Sequence, residues 1–332
     1  MAKPKILFTL PTDASGLRIL GERVEVVVAA DPKPETIKAM VGNADVLVVR
    51  TKLPADLLER PHHLLGIVRH GTGLDMIPVA AATAQNVPVA NVPGVNAETV
   101  AEYVVGSFLT LARQLNLMDR DLRAAGWTES RRRADAGIEL YGKTVGVIGV
   151  GSIGGRAAEI CHQAFRMRVL GHQRRLDALP GFVIGADVDT ICRESDFIAV
   201  CCPLTPETRG LIDARRIALM KPGAFIANAA RGPIIDELAL AAALTERRLG
   251  GAAIDVYAEQ PLRRDHPFLG LDNILLTPHV AGLTQESARR MSEGAATQVL
   301  QLIAGERPDF LVNPEIWDKH LERCRTMKGA RQ

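Results

Sequence analysis

The chain has 332 residues, of which 47% are hydrophobic and 23% charged, and its formal net charge is +2. This length accommodates two domains with separate cores, and the small charge argues against a nucleic-acid or anionic-membrane partner. Five cysteines without CxxC or metal-ligand spacing indicate neither a disulfide framework nor a metal site. Because the N-terminus lacks a signal-peptide pattern and no apolar stretch reaches membrane-spanning length, we expect a cytoplasmic protein.

Short β-branched runs alternate with helix-sized segments along most of the chain. The runs are continuously apolar, which is typical of strands buried on both faces of a parallel sheet. A first series is predicted at residues 5–10, 24–30, 46–49, 66–70 and 87–92. A second series is predicted at residues 144–149, 168–172, 197–202, 224–230, 251–256 and 274–278. The pattern predicts two parallel α/β domains.

Two long helices are predicted outside these series. Residues 96–115 form an apolar helix that we expect to be buried on more than one side, either between domains or in a subunit interface. Residues 284–306 form a long amphipathic helix. Since no third strand series follows it, we expect this helix to pack back on the first domain and make that domain discontinuous.

A glycine-rich turn opens the second series. In "VGVIGVGSIGGRAAEI", Gly149, Gly151 and Gly154 have G-x-G-x-x-G spacing, with Ser152 and Ile153 between the last two. These glycines allow a tight turn, approach of a pyrophosphate and close helix packing, and the helix N-terminus attracts the anion. Because the turn joins a strand to a helix, we predict dinucleotide binding. The alternatives are a simple glycine turn or a loop for another nucleotide-like ligand, such as a methyl donor.

The end of the next predicted strand bears on the choice of dinucleotide. NAD-binding proteins usually place an acidic residue there for the ribose 2′-hydroxyl. This chain has Gln173, followed by Arg174 and Arg175. Arginines bind a 2′-phosphate that a carboxylate would repel, so we predict NADP(H) in preference to NAD(H), which stays possible. The alternative is two surface arginines and a loose choice of cofactor.

Three chemically active residues follow predicted strand ends in the second series. They are Arg231, Asp255 and His279, and the carboxyl ends of parallel strands meet at one edge of a sheet. A nicotinamide transfers hydride, a histidine supplies a proton near neutral pH, and a guanidinium clamps a carboxylate. Together these groups indicate reduction of a 2-oxo acid to a 2-hydroxy acid.

Seven segments, taken in chain order, resemble the motifs of one enzyme family. They are "RHGTGLD" (69–75), "NAETVAEYV" (96–104), "GVIGVGSIG" (146–154), "CCPLTPETRGLI" (201–212), "NAARGPIIDE" (228–237), "AAIDVYAEQP" (252–261) and "LTPHVAG" (276–282). Along nearly its whole length the chain resembles the D-isomer-specific 2-hydroxyacid dehydrogenases. The resemblance implies a Rossmann dinucleotide-binding domain, residues 98–284, inserted into a flavodoxin-like substrate domain, residues 1–97 plus 285–332.

The resemblance also implies roles for individual residues. It makes Arg231 the substrate clamp and His279 the proton donor, gives Gly71 and Thr72 backbone contacts to the substrate carboxylate, and puts Asp255 near the nicotinamide. The matching motifs imply further cofactor contacts at Cys202, Pro203, Thr208, Ala230 and Gly282. A homodimer built around the 96–115 helix is implied, with Trp127 in an arm beyond it.

The substrate's far end is expected to meet the first domain. Four basic residues lie at or just beyond the ends of predicted strands: Arg50, Lys52, Arg69 and His70. They suit a hydroxyl, carboxylate or phosphate group, and surface ion pairing is the alternative. By resemblance alone, hydroxypyruvate and glyoxylate are the leading substrates.

One position departs from the family pattern. The family places glutamate before the proline of "AEQP", where it favours the charged histidine, but this chain has Gln260. The first interpretation is a 2-oxo acid reductase with a Gln–His pair. The second is a formate dehydrogenase-like hydride abstraction, because that branch carries such a pair and "QPLRRDHPF" (260–268) resembles it. A dinucleotide-sensing binding protein without catalysis is the third.

Overall fold

The computed structural model describes residues 3–329, and its strands are short and parallel. They are β1 (Lys5–Phe8), β2 (Glu25–Val28), β3 (Val46–Val49), β4 (Gly66–Arg69), β5 (Val89–Ala90), β6 (Thr144–Ile148), β7 (Arg168–His172), β8 (Val183–Gly185), β9 (Phe197–Val200), β10 (Phe225–Asn228), β11 (Gly251–Ile254) and β12 (Ile274–Leu276).

The helices lie mainly between these strands. They are α1 (Ala14–Leu20), α2 (Pro34–Met40), α3 (Val79–Ala84), α4 (Ala97–Ala112), α5 (Leu115–Ala125), α6 (Trp127–Arg132), α7 (Ser152–Phe165), α8 (Val188–Glu194), α9 (Ala214–Leu219), α10 (Glu237–Thr245), α11 (Gln285–Ala304) and α12 (Trp317–Gly329). Among the described residues, none of these helices is both long and apolar enough to cross a membrane.

The chain divides into two compact units. Unit 1 comprises the residues up to Asn96 and those from Leu283 onward, and its five-stranded sheet has the order β2-β1-β3-β4-β5. Helix α11 returns to this unit and packs against α1, β3 and β4. The contact with α1 is close, because a Cβ on Gly16 would lie 2.6 Å from the Ser292 carbonyl oxygen. Only glycine allows the two helices to approach this closely.

Unit 2 comprises Ala97–Gly282, and its seven-stranded sheet has the order β12-β11-β10-β9-β6-β7-β8. Helices α4 and α7 cover one face with a core that includes Phe108, Ala158 and Phe197. Helices α8, α9 and α10 cover the other face. The strand order reverses between β6 and β9, and in such open sheets ligands bind outside the carboxyl ends of the strands at this point.

The predicted fold class is confirmed: both sheets are entirely parallel and every predicted strand is present, most with shorter ends. Strand β8 and helices α5, α6 and α12 were not predicted, and the helix predicted at residues 96–115 ends at Ala112 as α4, with α5 beginning separately at Leu115. Strand β8, Val183–Gly185, follows a Pro-Gly turn, has too few residues to show a hydrophobic period, and lies at the edge of its sheet. Helix α12 was missed because its sequence is largely polar.

Candidate active site

The turn between β6 and α7 is held by two of its glycines. Gly149 has a φ of 98°, and a Cβ there would lie 2.5 Å from the Cys202 backbone nitrogen. A Cβ on Gly154 would lie 2.1 Å from the Gly149 carbonyl oxygen. Close packing and, at Gly149, the positive φ therefore explain why both positions are glycine.

The middle glycine requires a different explanation. Gly151 has an ordinary φ of −92°, and a Cβ there would meet no atom within 4 Å. It also precedes α7 as an N-cap residue without a side-chain hydrogen bond, ahead of Ser152 and Ile153. The open space therefore faces backbone N–H groups at the positive end of a 14-residue helix. These residues fit the pyrophosphate of a dinucleotide.

Polar and basic side chains follow β7. The Gln173 side-chain amide donates to the Arg175 carbonyl oxygen at 2.8 Å, so it shapes the turn that carries the arginines. Arg174 and Arg175 are exposed. A hydrogen bond with Thr205 is the main cause that lowers the pKa of the Glu207 carboxyl, and the charge of Arg174 contributes as well. The loop after β9, which carries Glu207, therefore lies within electrostatic reach of Arg174.

The loop after β9 borders the glycine turn. Cys202 is buried beside Gly149, and burial raises the pKa of its thiol to about 11, so the thiol is neutral near pH 7. The Thr208 hydroxyl accepts from the Thr205 backbone N–H at 2.7 Å and donates to the Pro203 carbonyl at 2.7 Å. Thr208 thus closes the loop that lies across from the phosphate turn.

The loop after β10 carries Arg231. Its guanidinium donates to the Ala230 carbonyl at 2.6 Å, and the buried Asn228 amide bonds both the Ala230 N–H and the Arg231 carbonyl at 3.0 Å. The next residue is Gly232, where a Cβ would lie 2.0 Å from the Tyr257 carbonyl carbon. The loops after β10 and β11 are therefore in direct backbone contact.

Asp255 directly follows β11 and is 1% exposed. Its hydrogen bonds hold the loop that carries His279. Its carboxylate accepts from the Thr277 hydroxyl at 2.6 Å and from the backbone N–H groups of Val280 and Ala281 at 2.8 and 2.9 Å. Its carbonyl accepts from the His279 N–H at 2.8 Å. The expected position near the nicotinamide stays a prediction, whereas these contacts make Asp255 the anchor of residues 277–281.

His279 and Gln260 form a hydrogen-bonded pair. Ring atom Nδ1 of His279 lies 3.0 Å from the Gln260 Oε1. The other end of the amide, Nε2, donates to the Tyr257 carbonyl at 3.5 Å, which favours this orientation of the amide. His279 has a φ of 58°, an uncommon conformation that its backbone bond to Asp255 holds in place. The predicted partners therefore do meet in the structure.

Sequence reasoning missed two residues that hold the Gln260 loop. Glu237 accepts from the Ala258 backbone N–H at 2.7 Å through one carboxylate oxygen, and its other oxygen lies 3.3 Å from Nε2 of His266. Both side chains are largely buried. Glu237 closes the motif "NAARGPIIDE" and His266 lies in "QPLRRDHPF", so both were visible, but only the fold brings them together.

Tyr257 also stabilises the Gln260 loop. Its hydroxyl lies 3.1 Å from the Ile254 carbonyl and 2.9 Å from the Thr277 carbonyl, so the one proton is shared between two acceptors. Burial raises the pKa of this phenol to about 12, which keeps it a neutral donor. Gly282, the last predicted cofactor contact, follows residues 277–281 and ends unit 2.

In unit 1, the predicted substrate residues follow β3 and β4. Arg50 donates from its backbone to Thr9 at 2.8 Å and from its guanidinium to the Pro11 carbonyl, whereas Lys52 is exposed. Gly71 has a φ of 131° and its carbonyl accepts from the Val92 N–H at 3.0 Å. The Thr72 hydroxyl donates to the Val92 carbonyl at 3.2 Å. These bonds give the loop after β4 a defined shape.

Arg69 and His70 have structural partners. Arg69 donates to the carbonyls of Val49, His70 and Gly73, at 2.9, 2.7 and 3.0 Å. His70 is 4% exposed and lies 2.8 Å from the Ser292 hydroxyl. Burial, with the nearby charges of Arg50 and Arg69, lowers the pKa of His70 to about 4, so its ring is neutral. Both residues brace the loop that begins with Gly71.

Unit 2 thus combines a phosphate-binding turn at a switch point of a parallel sheet with an arginine and a histidine beyond strand ends, which defines a nicotinamide-dinucleotide oxidoreductase. Residues 105–281 match the family described as D-isomer specific 2-hydroxyacid dehydrogenase, NAD binding domain. The chain belongs to the D-isomer-specific 2-hydroxyacid dehydrogenase family, whose members use NAD or NADP, and the sequence-based resemblance is confirmed.

Relatives of two kinds support the assignment. The chain is 39% identical over 315 residues to D-3-phosphoglycerate dehydrogenase of Methanocaldococcus jannaschii, covering 93% of this chain but only 59% of that protein. It is 34% identical over 328 residues to glyoxylate reductase of Thermofilum pendens, covering 95% of this chain and 96% of that protein. The chain therefore spans nearly all of the second relative but about three fifths of the first.

Solved structures have the same fold. The NADPH-dependent glyoxylate/hydroxypyruvate reductase of Sinorhizobium meliloti, in complex with NADP and malonate, matches with a TM-score of 0.83 and 26% identity over 94% of this chain and 98% of that one. The NAD-dependent formate dehydrogenase of Staphylococcus aureus, in complex with NAD, matches with a TM-score of 0.82 and 28% identity over 91% of this chain and 96% of that one.

The space beside Gly151 leads to a testable prediction. In Gly151→Ala, the new methyl group enters this space without touching the protein, so we expect an unchanged unfolding temperature. Dinucleotide affinity should fall at least about tenfold, or about 1.4 kcal/mol. Calorimetric titration with NADPH and NADH and a thermal melt measure the two effects. Gly155→Ala is the matched control, because its Cβ makes only an ordinary 3.9 Å contact with Val150. Equal affinities in both variants would contradict the assignment.

Proposed function

We propose that this protein uses NAD(P)H to reduce a small 2-oxo acid, hydroxypyruvate or glyoxylate, to the D-2-hydroxy acid. The observation that carries the proposal is the set of loops at one edge of unit 2: the glycine turn, Arg231, and the 3.0 Å His279–Gln260 pair. The reductases of Thermofilum pendens and Sinorhizobium meliloti named above support the choice of substrates. Unit 2 is proposed as the dinucleotide domain and unit 1 as the substrate domain.

The residues divide the chemistry between them. Arg231 binds the substrate carboxylate through its planar guanidinium and orients the adjacent carbonyl. A bound reduced nicotinamide supplies the hydride. His279, when protonated, donates to the carbonyl oxygen as negative charge develops there. Gln260 accepts the Nδ1–H and thereby fixes which nitrogen faces outward. In unit 1, Gly71, Thr72, Arg50 and Lys52 are proposed to bind the substrate, as the resemblance implies.

Purified protein should oxidise NADPH with hydroxypyruvate faster at pH 6 than at pH 7.5, since reduction requires the charged imidazole. In Gln260→Glu, a carboxylate replaces the amide 3.0 Å from Nδ1 and favours that charge. We expect the alkaline limb of the pH profile of kcat to move upward by about one pH unit.

Glu259→Gln is the control, because neighbours in an extended segment point in opposite directions. It should leave the alkaline limb in place. If Gln260→Glu also leaves the limb in place, proton donation from His279 is not the step that this limb reports.

We also propose a preference for NADP(H) over NAD(H). Gln173 replaces the usual acid, and Arg174 and Arg175 are exposed beside the phosphate turn. The double variant Arg174→Ala/Arg175→Ala should lose about tenfold in kcat/KM for NADPH and little for NADH, because hydrogen bonds between charged groups contribute about 1.5–3 kcal/mol. Arg193→Ala, in the last turn of α8, is the control. Equal losses with both cofactors would contradict the proposal.

Formate oxidation is the second candidate function, and the Gln260–His279 pair favours it. Oxidising formate releases a hydride and leaves CO₂, so no proton moves and a charged imidazole is unnecessary. The match to the formate dehydrogenase of Staphylococcus aureus supports keeping it. The measurement is reduction of NAD or NADP by formate, with the 2-oxo acid assay run on the same preparation; absence of formate turnover would eliminate this candidate.

A homodimer built around α4 is proposed, with the arm of α5 and α6 beyond it. Trp127 in this arm is 74% exposed and Leu122 is 47% exposed, an arrangement typical of surfaces that a partner covers. Trp127→Asp should therefore shift sedimentation toward the monomer at micromolar concentration. Leu269→Asp, at a comparably exposed apolar side chain outside the arm, should not. A wild-type chain that sediments as a monomer would refute the proposal.

A further inference from the structure

A cluster of polar side chains in unit 1 meets at His70, the residue before Gly71. Nε2 of His70 lies 2.8 Å from the Ser292 hydroxyl and 3.1 Å from the Thr12 hydroxyl, and the two hydroxyls are 2.7 Å apart. The Asp13 backbone N–H donates to the Ser292 hydroxyl at 3.1 Å. His70 and Ser292 are 4% and 2% exposed. The Ser292 hydroxyl is therefore the buried centre of the cluster.

The cluster joins three parts of unit 1 that are far apart in the sequence. Thr12 follows β1, His70 follows β4, and Ser292 lies in α11, 222 positions from His70. The loops after β1 and β4 lie at the same edge of the parallel sheet. The neighbour of Ser292, Met291, also reaches this loop, because a Cβ on Gly71 would lie 3.5 Å from its sulfur. Helix α11 therefore supports the loop after β4 at two consecutive positions.

This loop presents two backbone N–H groups, those of Thr72 and Gly73. In the part of the chain that the structure describes, no group accepts a hydrogen bond from either of them. The loop is closed on its other side by Val92, which donates to the Gly71 carbonyl and accepts from the Thr72 hydroxyl. Successive N–H groups in such a loop are suited to bind an anion.

The imidazole in the cluster is suited to support and not to proton transfer. Burial, with the charges of Arg50 and Arg69, lowers the pKa of His70 to about 4, so the ring is neutral near pH 7. A buried neutral ring neither attracts a carboxylate by charge nor delivers a proton to a substrate. Its hydrogen bonds to two hydroxyls instead restrain the backbone from which the Gly71 loop starts.

We propose that Ser292 and Thr12 are positioning residues for the substrate carboxylate. Through His70 they hold the backbone N–H groups that follow Gly71 in the direction that receives this carboxylate. The inference rests on the proposed function, in which the Gly71 loop binds the substrate. It adds two hydroxyls that act on substrate affinity through another residue, one of them on a helix near the other end of the chain.

The experiment compares the steady-state kinetics of Ser292→Ala with those of the wild type. Alanine keeps the helix and removes the hydroxyl. We expect KM for hydroxypyruvate and KM for glyoxylate to rise at least about fivefold and by the same factor, because the loop binds the carboxylate that both share. Both kcat and KM for NADPH should stay within about twofold of the wild type, since the loop takes no part in hydride transfer or dinucleotide binding.

The chain offers a matched control and a conservative rescue. The Thr297 hydroxyl bonds to the Glu293 carbonyl one turn back in α11, as the Ser292 hydroxyl bonds to the Ala288 carbonyl. Thr297 is exposed, so Thr297→Ala should leave every kinetic constant unchanged. Thr12→Val removes the second hydroxyl and should raise both 2-oxo acid KM values, whereas Thr12→Ser keeps this hydroxyl and should retain the wild-type values.

The outcomes separate this inference from the proposed function. In Ser292→Ala, a 2-oxo acid KM within about twofold of the wild type would overturn the inference and leave the reductase standing. A rise confined to hydroxypyruvate would also overturn it, because the effect would then lie at the far end of the substrate. A parallel loss of kcat and of NADPH affinity would indicate a general structural defect and would overturn it too. No turnover of either 2-oxo acid by the wild type would remove both proposals.

A second measurement does not depend on activity. Hydrogen exchange followed by mass spectrometry reports how firmly each backbone segment is held. In Ser292→Ala, exchange in peptides covering residues 66–75 should be at least about threefold faster than in the wild type, with no change in residues 144–165. Thr297→Ala should match the wild type in both segments. Unchanged exchange at residues 66–75 in Ser292→Ala would overturn the positioning role.

Discussion

The buried carboxylate of Asp255 is the constraint on which the candidate site depends. A carboxylate removed from water must be fully hydrogen-bonded, and here the bonds come from the Thr277 hydroxyl and from the backbone of Val280 and Ala281. These donors lie on both sides of His279. Holding them together fixes the backbone of the histidine in its left-handed conformation, so one buried carboxylate sets the direction of the His279 side chain.

The Gln260 loop is held by further contacts, one of which ties it to the loop that carries this histidine. Glu237 binds the Ala258 N–H, Tyr257 bonds to carbonyls on β11 and the loop after β12, and Gly232 brings the backbone of the neighbouring loop into contact. The two loops, which Tyr257 also links, thus converge at a 3.0 Å hydrogen bond between Gln260 and His279. Such preorganisation needs little rearrangement when a substrate arrives.

The sequence predicted the features that have a local cause. Gly149, Gly151 and Gly154 could be recognised from their spacing, and Arg231, Asp255 and His279 could be grouped because parallel strands end at one edge. The contact between Glu237 and His266 could not, since the two residues lie 29 positions apart and meet only through loop conformations. Strand β8 was missed because its pairing with β7, rather than any pattern of its own, makes it a strand.

Residue 260 shows how a small chemical change can alter what a site accepts. Glutamate and glutamine have nearly the same shape, and each can accept the Nδ1–H of His279. Only glutamate adds a negative charge, which would stabilise the charged ring. A glutamine at this position keeps the same loop geometry and the same hydrogen bond to Nδ1. It adds no charge that would favour the protonated ring. The fold therefore fixes where the imidazole lies, and in the proposed function residue 260 decides in which protonation state the imidazole meets the substrate.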